Sequence, residues 1–136
     1  MRGSAAGVVA AAAWAAGEPI FGRLARTPYS DVGLLGRLVT RGRASPAAGL
    51  ALHLTNGAVF GAVFARVGLK GVKAGVTAAQ IENLALWPAL VVLDRVHPDR
   101  RDGNWPPLAR SPQIAVYEIT MHAIFGAILG ALVARR

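Results

Sequence analysis

Apolar residues in this chain come in long blocks separated by shorter polar, basic stretches. Three blocks are plain: Ser45–Ala65, Ala74–Leu93 and Ser111–Ala134. Each reaches the roughly 20 residues, at about 1.5 Å apiece, that a helix needs to cross the hydrocarbon core. A fourth, Gly3–Gly22, is mostly alanine. Arg2 and the Ala13-Trp14-Ala15 run give that block an alternative reading as a secretory signal peptide. The internal repeat described below needs it as a span.

The pattern therefore predicts an all-α integral membrane protein of four transmembrane helices, one domain over residues 1–136. Calling the side where the chain begins X and the other Y, the first span runs to Y. The second (about Pro46–Arg66) returns, the third (about Val72–Leu93) runs to Y, and the fourth (about Pro112–Ala134) returns. The connection on X, Val67–Lys73, is a tight hairpin, and both connections on Y are long. The first of these contains SDVGLLGRLVTRG, which predicts a short interfacial helix. Ser30 or Asp31 caps it, Leu34, Leu35, Leu38 and Val39 form one face, and Gly42 ends it. Arg37 and Arg41 snorkel from its edge. The second, DRVHPDRRDGNWPPLARSP, reads as a proline-punctuated surface loop with Trp105 anchored among the headgroups. On that reading His97 and Asp99 are loop residues and not a metal pair.

HLTNGAVFGAVFAR, from His53, aligns without gaps on HAIFGAILGALVAR, from His122. His53/His122, Gly57/Gly126, Gly61/Gly130 and Arg66/Arg135 all fall in register. The first and third spans match more loosely, through GVVAA from Gly7 against GVTAA from Gly75 and Pro19 against Pro88. Two tandem helical hairpins are expected, about 1–67 and 68–136, related by a pseudo-twofold axis along the membrane normal, a parallel repeat. Steps of four keep residues on one helix stripe. Gly57, Gly61, Gly126 and Gly130 then form packing ladders that let backbones approach closely. His53 and His122 continue the same stripes and face into the bundle.

The ionisable residues within the spans are Glu18, His53, Glu82, Glu118 and His122. Unpaired in lipid each glutamate costs several kcal/mol, about 2.5–3.5 on insertion scales for Asp, Lys and Arg, so the glutamates are expected to turn inward. Counted from side Y, Glu18, His53 and Glu118 lie roughly 6–10 Å deep, and Glu82 and His122 roughly 14–16 Å. A pocket open to Y and closed toward X by glycine and alanine follows. Glu118 and His122, four apart on one face, have a spacing that chelates a metal. The whole set approaches the di-metal carboxylate site of four-helix bundles but is one glutamate short, with one Glu/His pair instead of two. Gln80, Asn56 or Asn83 would have to fill the gap. The reading from residue types is thus a pocket for one or two transition-metal ions. A proton-coupled carrier or channel subunit using the same glutamates, and a purely structural Glu/His network, are the alternatives. Bis-His haem is disfavoured, because glycine ladders bring helices together where a macrocycle needs them apart.

Composition agrees with a membrane protein. The chain is 54% hydrophobic with 16% charged residues, against about 25% in soluble domains, and its mean hydropathy is +0.42. The net charge of +8 and pI near 11.5 do not point to nucleic acid, because the 15 Lys and Arg residues flank the apolar blocks. Nine of them lie on side Y and six on X, which leans toward a cytoplasmic Y. No cysteine is present. There is no Ser/His/Asp pattern, phosphate loop or dinucleotide fingerprint, so whether the protein is an enzyme is left open. The partners expected are the bilayer and a second copy or another membrane protein.

At WAAGEPIFGR, HLTNGAVFGAVFARV, Gln80–Pro88 and YEITMHAIFG the chain resembles the YagU-like family of small bacterial inner-membrane proteins. The resemblance follows the spans in order over about half the chain, while the loops differ. It implies a multi-pass location in the bacterial inner membrane and supplies no chemistry.

Overall fold

The computed structural model describes residues 2–134 of the chain, so Arg135 and Arg136, counted above on side X, and the Arg66/Arg135 match lie outside the described residues. It is all-helical, with elements α1 (Gly3–Leu24), α2 (Asp31–Val39), α3 (Ser45–Arg66), α4 (Val72–Val96), α5 (Pro98–Arg101) and α6 (Pro112–Ala134). Of these, α1, α3, α4 and α6 are long and apolar enough to cross a membrane. The faces turned outward fit lipid. Ile81 and Leu84 on α4 are 62% and 71% exposed, a burden for a protein in water and ordinary against acyl chains.

Helix ends follow local chemistry. Pro46 sits in the first turn of α3, where its missing N–H costs nothing. Gly68 and Gly71, at φ +77° and +86°, make the turn between α3 and α4, a backbone region that side-chain-bearing residues avoid.

Packing is dominated by two pairs, α1 with α3 and α4 with α6; α1 also lies along α6, and α2 covers the start of α3. Both main pairs meet backbone to backbone. Gly7 abuts Gly57 and Gly61, and Gly3 abuts Gly61, while Gly75 abuts Gly126 and Gly71 abuts Gly130. Glycine at each contact removes the Cβ that would hold the helices apart. Around these contacts Phe64, Leu129 and Val133 are buried, and Phe60 meets Phe125 edge-on at 5.5 Å. By contrast α3 and α4, which have the shortest connection between successive long helices, hardly touch.

The second Y-side connection differs from the solvated loop expected of it. His97 is fully buried and Asp99 is 4% exposed. The imidazole stacks on Trp105 at 4.7 Å and 8°, and Trp105 meets Tyr29 at 5.2 Å. Trp105 is therefore a buried packing residue and not a headgroup anchor. Composition misleads here because prolines and charges that mark a surface loop also serve a segment folded back on the bundle. Asp94 at the end of α4 fixes that fold. It accepts from the Leu108 and Ala109 backbone N–H groups and from Arg100 Nε, at 2.7, 3.3 and 2.8 Å.

Candidate intramembrane pocket

A cavity of about 240 Å³ lies in the Y-side half between α1, α3, α4 and α6, roofed by the Tyr29–Leu35 segment. Its lining from α1 and α6 is buried, whereas Asn56 on α3 and Leu86 and Ala89 on α4 are exposed. The mouth is thus the gap between α3 and α4 on the flank of the bundle, and not the Y face expected from residue depth, which the Tyr29–Leu35 segment covers. Trp14 forms the back wall, edge-on to His53 at 5.4 Å, to His122 at 4.7 Å and to Phe125 at 6.3 Å.

Four of the five ionisable residues singled out from the sequence line this cavity: His53, Glu82, Glu118 and His122. On α6, His122 Nδ1 lies 2.8 Å from the Glu118 carbonyl oxygen and 3.3 Å from Glu118 Oε2. A carbonyl oxygen can only accept, so Nδ1 carries the proton and Nε2 of a neutral ring offers a lone pair. Gln80 does not turn to the acids; its Nε2 donates to the Ile119 carbonyl at 2.7 Å, tying α4 to α6.

Glu18, the fifth, is directed elsewhere. Its carboxylate accepts from Ser30 Oγ at 2.5 Å and from the Asp31 and Val32 backbone N–H groups at 2.8 and 3.2 Å. Those are free donors of the first turn of α2, where a negative charge is favoured. Ser30 Oγ itself accepts from the Gly33 N–H at 2.9 Å. Glu18 and Ser30 together pin α2 to α1.

That pinning places a residue that sequence reasoning assigned only a capping role. Asp31 lines the cavity beside Glu82 and Glu118. Tyr29 donates to Asp31 Oδ1 at 2.9 Å, while Oδ2 is buried and completes no hydrogen bond, with the Trp14 indole N–H and the Tyr29 hydroxyl favouring the carboxylate. Burial, and then the carboxylates of Glu118 and Glu18, push the Asp31 carboxyl well above the usual carboxylate range. Trp14 Nε1, His53 Nε2 and Tyr117 Oη are also buried and unpartnered. The only sequence signal for Asp31 was an acid two residues beyond a tyrosine, in a segment too short to span. Its inward aim depends on Glu18, twelve to fourteen residues away, which no periodicity reveals.

A second set of contacts holds the roof down. His97 Nδ1 accepts from the Asp99 N–H at 3.2 Å, so Nε2 carries the ring proton and donates to the Leu34 carbonyl at 3.2 Å. Arg37 of α2 pairs with Asp99 at 2.9 Å. Burial is the main influence holding the His97 imidazole below its ordinary value, with Arg37 acting the same way and the Leu34 carbonyl and Asp99 opposing. A folded state that disfavours the proton draws full stability from this residue above about pH 6.5, the ordinary imidazole value, and loses it as pH falls through the lower folded value. Acid is therefore expected to speed proteolytic cleavage within residues 27–45, and His97→Ala to remove that acceleration while lowering the Tm at pH 7.5. Asp31 titrates with the opposite sign, so the difference between wild type and His97→Ala isolates the histidine.

Among the described residues no group of three His, Asp or Glu side chains is arranged to hold a metal ion. No protein-family profile, curated protein or solved structure matches the chain.

Proposed function

We propose that this is a multi-pass protein of the bacterial inner membrane that binds a small organic cation in its one-sided pocket, in exchange for protons. The observation that carries the reading is Asp31 Oδ2, a buried oxygen that completes no hydrogen bond, on a cavity shared with Glu82 and Glu118. Three carboxyl groups around one desolvated space repel one another, and either protons or a bound cation relieves that repulsion. The aromatic walls, Trp14, Tyr29, Trp87 and Phe125, favour an organic cation through their ring faces. A transition-metal ion, the first expectation from residue types, has less support, since the acids surround a cavity far larger than an ion and do not converge on one point. In this reading the chain is two tandem hairpins in a parallel pseudo-twofold repeat, consistent with the matching glycine contacts of α1–α3 and α4–α6. Helix α2 lies at the Y-side interface as the pocket's roof.

Trp14 and Trp87 line the cavity and Trp105 does not, so tryptophan fluorescence of the detergent-purified protein reports occupancy. Benzamidinium is expected to give a saturable change whose affinity rises with pH, as each displaced proton is easier to remove. Asp31→Asn is expected to weaken binding tenfold or more, about 1.4 kcal/mol, and to flatten the pH slope. No saturable response, or an unaltered affinity in Asp31→Asn, would overturn the assignment. A transition metal retained stoichiometrically through purification would transfer the pocket to the metal reading.

A further inference from the structure

A second hollow, of about 1000 Å³, lies on the outer side of α2 between α1 and α3. Its rim carries Arg37, Arg41 and Arg43, and its floor is apolar, made by Ala12 and Ala16 of α1 and Leu50 and Leu54 of α3. Ala12, Ala16 and Leu50 are exposed, on flanks of helices that span the membrane. The floor runs nine residues down α3 from Ser45 to Leu54, roughly 13 Å, close to the hydrocarbon depth of one leaflet at about 15 Å.

The charges are one-sided. Arg41 and Arg43 are exposed, and among the described residues neither makes an ion pair. The two acids on the same hollow are already engaged, Glu18 by Ser30 and the α2 backbone and Asp99 by Arg37. Arginine forks match phosphate oxygens, and the groove below offers an apolar bed continuous with the bilayer.

We propose that this groove binds an anionic phospholipid, its phosphate held by Arg41 and Arg43 beside Arg37 and its acyl chains laid along α1 and α3. A soluble phosphate would use the rim and leave the floor bare. The site is separate from the cation pocket, from which α2 divides it, and does not depend on that assignment.

The test measures lipid binding to the delipidated, detergent-purified protein by native mass spectrometry and thermal shift, with phosphatidylglycerol, phosphatidylcholine and glycerol 1-phosphate as probes. Phosphatidylglycerol is expected to be retained and to raise the Tm, and the other two to do neither at equal concentration. Arg41→Ala with Arg43→Ala is expected to lower phosphatidylglycerol affinity roughly fivefold per arginine removed. Both side chains are exposed, so the lipid-free Tm should match wild type, and Arg41→Lys with Arg43→Lys, which keeps the charge and loses the fork, should bind between wild type and the double alanine variant. Equal binding of phosphatidylcholine, or a double alanine variant that binds as well as wild type, would overturn the proposal. So would glycerol 1-phosphate binding as tightly as the lipid, which would make the rim a site for soluble phosphate.

Discussion

Gly7→Ala is expected to leave little correctly packed protein, although it adds a single methyl group to a helix already rich in alanine. A Cβ at Gly7 would run into the backbone carbonyl of Gly57, with the carbonyl carbon at 2.7 Å and the Gly61 Cα at 3.1 Å. Neither atom can swing aside as a side chain tip would. The two helices must separate along their whole contact, which also releases Gly3 from Gly61. Overpacking typically costs 1–3 kcal/mol, and a backbone obstacle places this substitution at about 3 kcal/mol or beyond. Gly17→Ala on the same helix is the control, because its nearest neighbours are the Phe21 ring atoms at 3.3 and 3.4 Å. Thermal unfolding in detergent separates the cases. A Gly7→Ala protein melting within about 2 °C of wild type would show that α1 and α3 are not sealed by backbone contact.

Glu18→Ala is the second large effect, and its signature should lie away from residue 18. The substitution removes the acceptor for Ser30 Oγ and for two N–H groups at the head of α2. Hydrogen bonds to charged groups are worth about 1.5–3 kcal/mol each, and as they act together the roof is expected to lose about 3 kcal/mol of local stability. Hydrogen exchange should accelerate over residues 30–36 while the α4–α6 pair stays protected. Cation affinity should fall as well, because Asp31 loses the anchor that aims it. Glu18→Gln keeps one acceptor oxygen and should lie between wild type and alanine on both measures. If Glu18 were instead a direct ligand, Glu18→Gln would abolish binding with exchange over α2 unchanged.

These two cases mark what could be read from the chain alone. All four long helices were legible, with ends within a few residues, because a 20-residue apolar block has few alternatives. The inward aim of His53 and His122 was legible too, since a four-residue step with glycine ties a stripe to a contact. Both histidines are buried and line the cavity. What failed were residues whose role depends on a partner distant in sequence. Glu18 sits at a depth that suited a ligand, yet the free N–H groups of α2 claim it. Ser30 and Asp31 were both expected as caps of α2; Ser30 does that work, and Asp31 turns into the cavity instead. The Val96–Ser111 stretch had the composition of an exposed loop, and no pattern within it announced that His97 would reach the Leu34 carbonyl. Periodicity reports which face of a helix turns inward; it does not report which neighbour arrives there.

The near absence of contact between α3 and α4 bears on how the protein is made. Each backbone-sealed pair joins helices of the same half of the chain, so α1 and α3 can close while α4 is still in the ribosome. The last span, α6, then closes on α4 and docks on α1. Assembly then proceeds as two local closures followed by one docking step, and a sequence change in one half should disturb insertion of that half without trapping the other.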